Sequence, residues 1–207
     1  MDEDPAARQE VRRVLLAEPR GFCAGVEMAI KALQWMVEAF DAPVYCYHEI
    51  VHNRLVVDRF REQGVIFVDD VAEVPDGAPL MLSAHGSAPE VVAAAREHDR
   101  IVVNAVCPLV TKVHHEAKVR AEKGYTVLYV GHDGHDEATG TLAVAPESMR
   151  LVEHEADVAT AAASVPDPSK VALLAQTTLS LNDWQGVMAK ARDQFPDLWT
   201  ASRNDLC

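Results

Sequence analysis

A chain of 207 residues with 19 basic and 32 acidic side chains, a formal charge of −13 and 49% hydrophobic residues is long enough for one or two globular domains, and too apolar for disorder. The net acidity excludes a binder of the phosphate backbone, which needs a basic face, so nucleic acid is not an expected partner. No apolar run approaches the roughly 18 residues of a membrane span, and the polar stretch 1–13, MDEDPAARQEVRR, lacks the apolar core of a signal peptide. The expectation is a disordered leader on a soluble, cytoplasmic protein that needs no membrane.

The predicted elements alternate. Val11–Ala17 is β-like, and Val26–Phe40 carries an apolar helical stripe at Val26, Ile30, Leu33, Val37 and Phe40. Pro43–Tyr47 is β-like, Asn53–Gln63 is helical and stops at Gly64, and Val65–Val68 and Leu80–Leu82 are strands. Pro89–His98 is a helix and Ile101–Val106 a strand. The second half repeats the rhythm with a helix at Thr111–Lys123, a strand at Tyr125–Val130, a polar glycine-rich loop at 131–140 and a short helix at Asp157–Ser164. After the VPDPS loop come a strand at Val171–Ala175, a helix at Asn182–Phe195 with Asn182 as N-cap, and a last strand starting within Leu198–Ala201. Strands alternating with helices predict parallel sheets with helices packed outside. Two similar α/β units are expected, 14–107 and 108–207, with a site at the strand C-terminal ends between them.

Reactive side chains cluster at those ends, where open α/β sheets bind ligands. Cys23 follows LLAEPRGF, His85 follows LMLSA, Cys107 follows IVVNAV, His135 follows TVLYVGHDG and Thr177 follows VALLAQ. Of the four cysteines, Cys46 lies inside VYCY and reads as a core thiol. Cys23, Cys107 and Cys207 leave two readings open: thiolates converging on zinc or on an iron–sulfur cluster with one iron lacking a protein ligand, or three buried apolar side chains. No CxxC pair is present, which disfavours a zinc ribbon or a thioredoxin-type site.

HEIVH at 48–52 matches the zinc-protease helix motif H-E-x-x-H. The β-rich VYCY before it and the lack of a third ligand at metzincin spacing favour another reading, with the strand ending near Glu49 and His52 in the turn before a helix. His52 and His85, at equivalent strand ends, then offer donors to an anion alongside helix N-termini. A carboxyl group in GHDGHDEATG could move a proton if burial raised its pKa, with a zinc or magnesium site as the rival reading. Thr177 and Thr178 offer hydroxyls for a relay, a polar ligand or a helix cap.

PRGFCAGV, HEIVHN, SAHG, CPLVTKVH, GHDGHDE, QTTLS and NDLC follow one another in an order that resembles the LytB/IspH family of 4-hydroxy-3-methylbut-2-enyl diphosphate reductases. The resemblance runs from about Val14 to Cys207. It implies an oxidoreductase of the last step of non-mevalonate isoprenoid synthesis, which reduces an allylic diphosphate to isopentenyl and dimethylallyl diphosphates with two electrons and two protons. It further implies a 4Fe–4S cluster on Cys23, Cys107 and Cys207, diphosphate contacts from His52 and His85, a third histidine, His135, near the substrate, and proton delivery by Glu137 beside the Thr177 hydroxyl; Thr177 and Thr178 are the further substrate-binding candidates. Ferredoxin or flavodoxin would supply electrons. The family fold has three similar units, and the third, with its Ser-x-Asn motif, has no counterpart up to Cys207. The alternative to the enzyme is therefore an inactive or partner-dependent fragment, truncated at the third cysteine.

Overall fold

A computed structural model describes residues 13–201 and 206–207. The helices are α1 (Ala24–Ala39), α2 (Arg54–Glu62), α3 (Pro89–Ala95), α4 (Pro108–Glu122), α5 (Asp136–Leu142), α6 (Asp157–Ala163) and α7 (Leu181–Gln194). The strands are β1 (Val44–Tyr47), β2 (Val65–Val68), β3 (Pro79–Leu82), β4 (Ile101–Asn104), β5 (Thr126–Val130), β6 (Met149–Val152), β7 (Val171–Ala175) and β8 (Trp199–Thr200), with a 3-10 turn at Val71–Glu73. They form two parallel four-stranded sheets, ordered β2-β1-β3-β4 and β6-β5-β7-β8. The loose likeness between the two halves of the sequence is thus a repeated topology.

Burial explains the strand composition. On β5 and β7 every residue is buried, because alternate side chains enter two different cores. Leu128, Val130, Leu173 and Ala175 pack against Val158, Trp184 and Val187 of α6 and α7. Val127, Tyr129, Ala172 and Leu174 pack against Val113 and Ala117 of α4 and Ala138 of α5. In the first sheet, Leu33 and Met36 of α1 cover Val44, Cys46 and Met81, joined by Phe60 of α2. Fully burying a side chain such as Leu33 or Phe60 stabilises by about 1.5–3 kcal/mol. Among the described residues no helix is long and apolar enough to cross a membrane.

Several elements depart from the sequence expectation. Residues 13–17 are not a strand; Val14, Leu15 and Leu16 are more than 70% exposed, so their apolar run has no sheet neighbour among the described residues. The rest of the proposed leader, 1–12, lies outside the described residues. The loop expected at 131–140 turns into α5 at Asp136, and β6 was not anticipated at all. Helix α3 stops at Ala95 because His98 and Asp99 adopt left-handed backbone conformations. The cap of α7 is Ser180, not Asn182: its hydroxyl oxygen accepts from the Asp183 amide, which places Asn182 inside the first turn.

The topology positions the site. In each sheet the strand order reverses at the first strand of the set, between β1 and β3 and between β5 and β7, where a crevice opens beyond the carboxyl ends. The four loops leaving those strands are 48–53, 83–88, 131–135 and 176–180. They carry His52, His85, His135, Thr177 and Thr178.

Candidate active site

Two cysteines cap helices. Cys23 precedes α1 and Cys107 precedes α4, each with extended backbone and neither using its side chain as a cap. Their sulfurs crowd one spot: a Cβ on Gly25 would meet Cys107 Sγ at 2.7 Å and Cys23 Sγ at 3.9 Å. Glycine is needed there because any side chain would displace a thiol. The Cys107 amide donates to the Ala84 carbonyl at 3.0 Å, two residues beyond β3. The Cys207 amide donates to the Thr177 carbonyl at 2.7 Å, two residues beyond β7. Cys107 and Cys207 therefore hold equivalent places in the two repeats. Burial pushes the Cys207 thiol up, and Cys107 and Cys23 add to that against a Thr177 hydrogen bond. Three thiols lining one cleft form a donor set that suits a soft cation.

The histidines gather at the neighbouring wall. The rings of His52 and His85 stack with centroids 3.9 Å apart, and His135 stands edge-on at 5.0 Å from His52 and 5.8 Å from His85. Burial and the nearby His52 lower the His85 pKa to about 4, and burial likewise lowers that of His135. At neutral pH His85 is uncharged, and its buried Nε2 has no partner among the described residues. An anion would supply both the partner and the reason to protonate. His52 ends the turn before α2, whose cap Asn53 accepts from the Val56 amide. Residues 48–52 are not helical, and His48 is left-handed (φ 57°), so the zinc-protease reading of HEIVH fails on geometry. His52, His85 and Asp136 bring ligand atoms within 4.8 Å of one another, but the Asp136 carboxylate is engaged by His48 at 2.7 Å.

The third component is a buried acid. Glu137, on the first turn of α5, is 1% exposed. The Thr177 amide donates to its Oε1 at 2.7 Å and the Thr177 hydroxyl to its Oε2 at 2.9 Å. Burial raises the Glu137 pKa, although both Thr177 bonds pull the other way. Gln176, 2% exposed, ties the loops together: its Oε1 accepts from the His132 amide at 3.0 Å and its Nε2 donates to Thr178 Oγ1 at 2.9 Å.

One cleft of about 280 Å³ joins these parts, lined by the three cysteines together with His52, His85, Glu137, Thr177 and Thr178. His135 stands just outside the lining, against the histidine stack. Sequence reasoning missed Gln176 and the His48–Asp136 pair. Both link loops far apart in the chain, and no local pattern signals such contacts. Cys46 is fully buried in the first core, as VYCY suggested.

Comparison with known proteins finds relatives along most of the chain. Residues 14–207 match the family described as LytB protein. A 4-hydroxy-3-methylbut-2-enyl diphosphate reductase of Rhodopirellula baltica is 48% identical over 195 residues, 94% of this chain and 60% of that protein. The reductase of the same name from Nocardia farcinica is 47% identical over 95% of this chain and 58% of its own length. The solved E-1-hydroxy-2-methyl-but-2-enyl-4-diphosphate reductase of Plasmodium falciparum superposes with a TM-score of 0.86 at 35% identity, over 92% of this chain and 59% of that one. Another solved structure, of an (E)-4-hydroxy-3-methyl-but-2-enyl diphosphate reductase described as the terminal enzyme of the non-mevalonate pathway, gives 0.79 at 28% identity. The chain spans about three-fifths of the length of the curated relatives it matches. With the match running from residue 14 to 207, across both sheets, the chain belongs to the LytB protein family.

Proposed function

We propose that the cleft binds 4-hydroxy-3-methylbut-2-enyl diphosphate and serves its reductive dehydroxylation to isopentenyl and dimethylallyl diphosphates. The two α/β units, 14–107 and 108–207, would meet at this cleft. The observation that carries the reading is the convergence of three thiols, two stacked imidazoles and a buried carboxyl group on one 280 Å³ space, with His135 against the imidazole stack. Cys23, Cys107 and Cys207 would hold a 4Fe–4S cluster, which when bound supplies electrons singly and a Lewis-acidic iron. The crowding of two sulfurs over Gly25 and the equivalent anchoring of Cys107 and Cys207 fit such a group.

The chain's own residues do the rest. His52, His85 and His135 take up the diphosphate charge, with Thr178 as a further donor, and so fix how far the allylic end reaches into the cleft. The apolar lining from Phe22, Val26, Val51 and Val110 suits the five-carbon portion. Glu137, whose pKa burial raises, delivers a proton to the leaving hydroxyl, which departs as water. The Thr177 hydroxyl orients that acid at Oε2. Two electrons and two protons enter, one C–O bond breaks, one C–H bond forms and water leaves. A ferredoxin or flavodoxin is the electron source this reading calls for.

Anaerobic reconstitution with iron and sulfide tests it. The expected result is about four irons per chain with absorbance near 400 nm, and loss of both in Cys107→Ser. Full iron retention in Cys107→Ser would overturn the ligand set. Inorganic pyrophosphate that binds wild type and His85→Ala equally well would overturn the diphosphate site.

A further inference from the structure

Helix α5 faces two ways. Glu137 and Thr141, four residues apart, are buried in the second repeat, at 1% and 0% exposure. Asp136 and Gly140, also four apart, face the first repeat. The Asp136 carboxylate accepts from His48 Nδ1 at 2.7 Å. One turn on, a Cβ at Gly140 would lie 3.1 Å from the Gly86 carbonyl oxygen, so the helix backbone rests on the loop after His85. The helix N-cap is His135, whose Nδ1 accepts from the Glu137 amide at 3.1 Å. Asp136 is thus flanked by the two α5 residues of the candidate site.

His48 is equally well fixed. It directly follows β1, its amide extends the ladder to the Val68 carbonyl at 2.9 Å, and its ring stacks on Tyr47 at 4.0 Å. Its left-handed backbone turns the chain so that His52 reaches the cleft. Both side chains of the pair are about three-quarters buried.

We propose that His48 and Asp136 form a clasp between the two repeats that positions His135 and Glu137 against His52 and His85, and that His48 cancels the Asp136 charge beside the anion site. An unpaired carboxylate within 4.8 Å of the ligand atoms of His52 and His85 would repel a diphosphate. The hydrogen bond to Asp136, with Asp69 adding to it, holds His48 above the ordinary imidazole range. Burial pushes Asp136 up, but the His48 bond and the imidazoles of His85 and His52 outweigh it and hold the carboxyl low. His48 and Asp136 are positioning residues, and the inference rests on the diphosphate reading only for what the histidine trio binds.

The test is a cycle of His48→Asn, Asp136→Asn and their double variant, with His48→Lys as the charge-keeping rescue. Asparagine tolerates the left-handed conformation, so His48→Asn does not strain the backbone. Pyrophosphate is the probe, and circular dichroism checks folding. His48→Asn should weaken pyrophosphate roughly tenfold, the cost expected for baring a like charge at a partly screened site. The double variant should bind more tightly than His48→Asn, because the bare carboxylate is gone. A purely structural contact would make the double variant no better than the single. His48→Lys should recover most of the affinity. Equal affinity in wild type and His48→Asn, or a double variant that binds no better than His48→Asn, overturns the charge role. Hydrogen exchange at the amides of 137–139 reads the clasp independently: it should rise in both single variants, and unchanged exchange overturns the positioning role. If wild type fails to bind pyrophosphate while exchange still rises, the diphosphate reading falls and the clasp stands.

Discussion

The two repeats share one strand order and differ in what their loops carry. The first supplies two of the three clustered imidazoles, His52 and His85, stacked at the end of β1 and β3. The second supplies the buried carboxyl group of Glu137 and the Thr177 backbone and hydroxyl that hold it. In each repeat a cysteine later in the chain than the fourth strand donates its amide to the carbonyl two residues beyond the third strand. The parallel scaffold therefore fixes where a side chain appears, and the loops decide whether it is a base, an acid or a thiol. Opposed crevices also explain how a cleft can be basic-capable on one wall and acidic on the other without net positive charge in the chain.

The largest effect should come from the cysteines, where the repeats are alike. Cys107→Ser and Cys207→Ser should each abolish iron retention, and they should do so equally, because the two residues are topological equivalents. A Cys207→Ser protein that keeps its iron would break the equivalence. Cys46→Ala is the contrast: fully buried in the first core, it should lower stability by about 1–2 kcal/mol through a small cavity and leave iron content alone. Iron per chain and thermal melting read the two outcomes.

Next is Glu137→Gln, which tests the acidic wall. Glutamine keeps the Thr177 contacts to one oxygen and removes the transferable proton. Turnover by the loaded protein should drop roughly 10²–10⁴-fold while pyrophosphate affinity stays near wild type. Unchanged turnover would move the proton donor elsewhere.

Much of this scaffold is legible in the sequence, and the misses have physical causes. VALLA at 171–175 is β7 without a residue's error, because a strand buried on both faces is a continuous apolar run bounded by polar residues. Asn53 marks the start of α2 for the reason expected of a cap. The same logic failed at α5. Asp136, Glu137 and Thr139 look like loop residues, yet acids favour a first helical turn, and His135 supplies an unusual cap through Nδ1. At 14–16 the apolar run of Val14, Leu15 and Leu16 has strand character, but periodicity says nothing about a partner, and these residues are exposed. The strand-end residues were legible one by one because α/β topology sends them to one edge. Gln176 and the His48–Asp136 pair were not, because each is defined by a contact across 44 or 88 positions of chain.

The subtlest contrast between the walls is their response to pH. The folded pKa of His85 is depressed to about 4, below the roughly 6.5 of an unfolded histidine. Its unfolded form therefore takes up a proton first, and stability is lost as pH falls from about 6.5 towards 4. Glu137 is shifted the other way, above the roughly 4.3 of an unfolded glutamate. The unfolded state gives up that proton first, so its contribution is complete below about pH 4.3 and is lost as pH rises through the folded value. Where both groups titrate, above about pH 4.3, the two slopes oppose each other, and the substitutions should unmask them. His85→Asn removes the histidine slope and should tilt the melting curve so that Tm falls with rising pH relative to wild type. Glu137→Gln should tilt it so that Tm rises. Each kcal/mol of linkage is worth about 2–4 °C in a chain of this size. Parallel Tm profiles would mean that the two walls are electrostatically equivalent, and the division of labour drawn between the repeats would be lost.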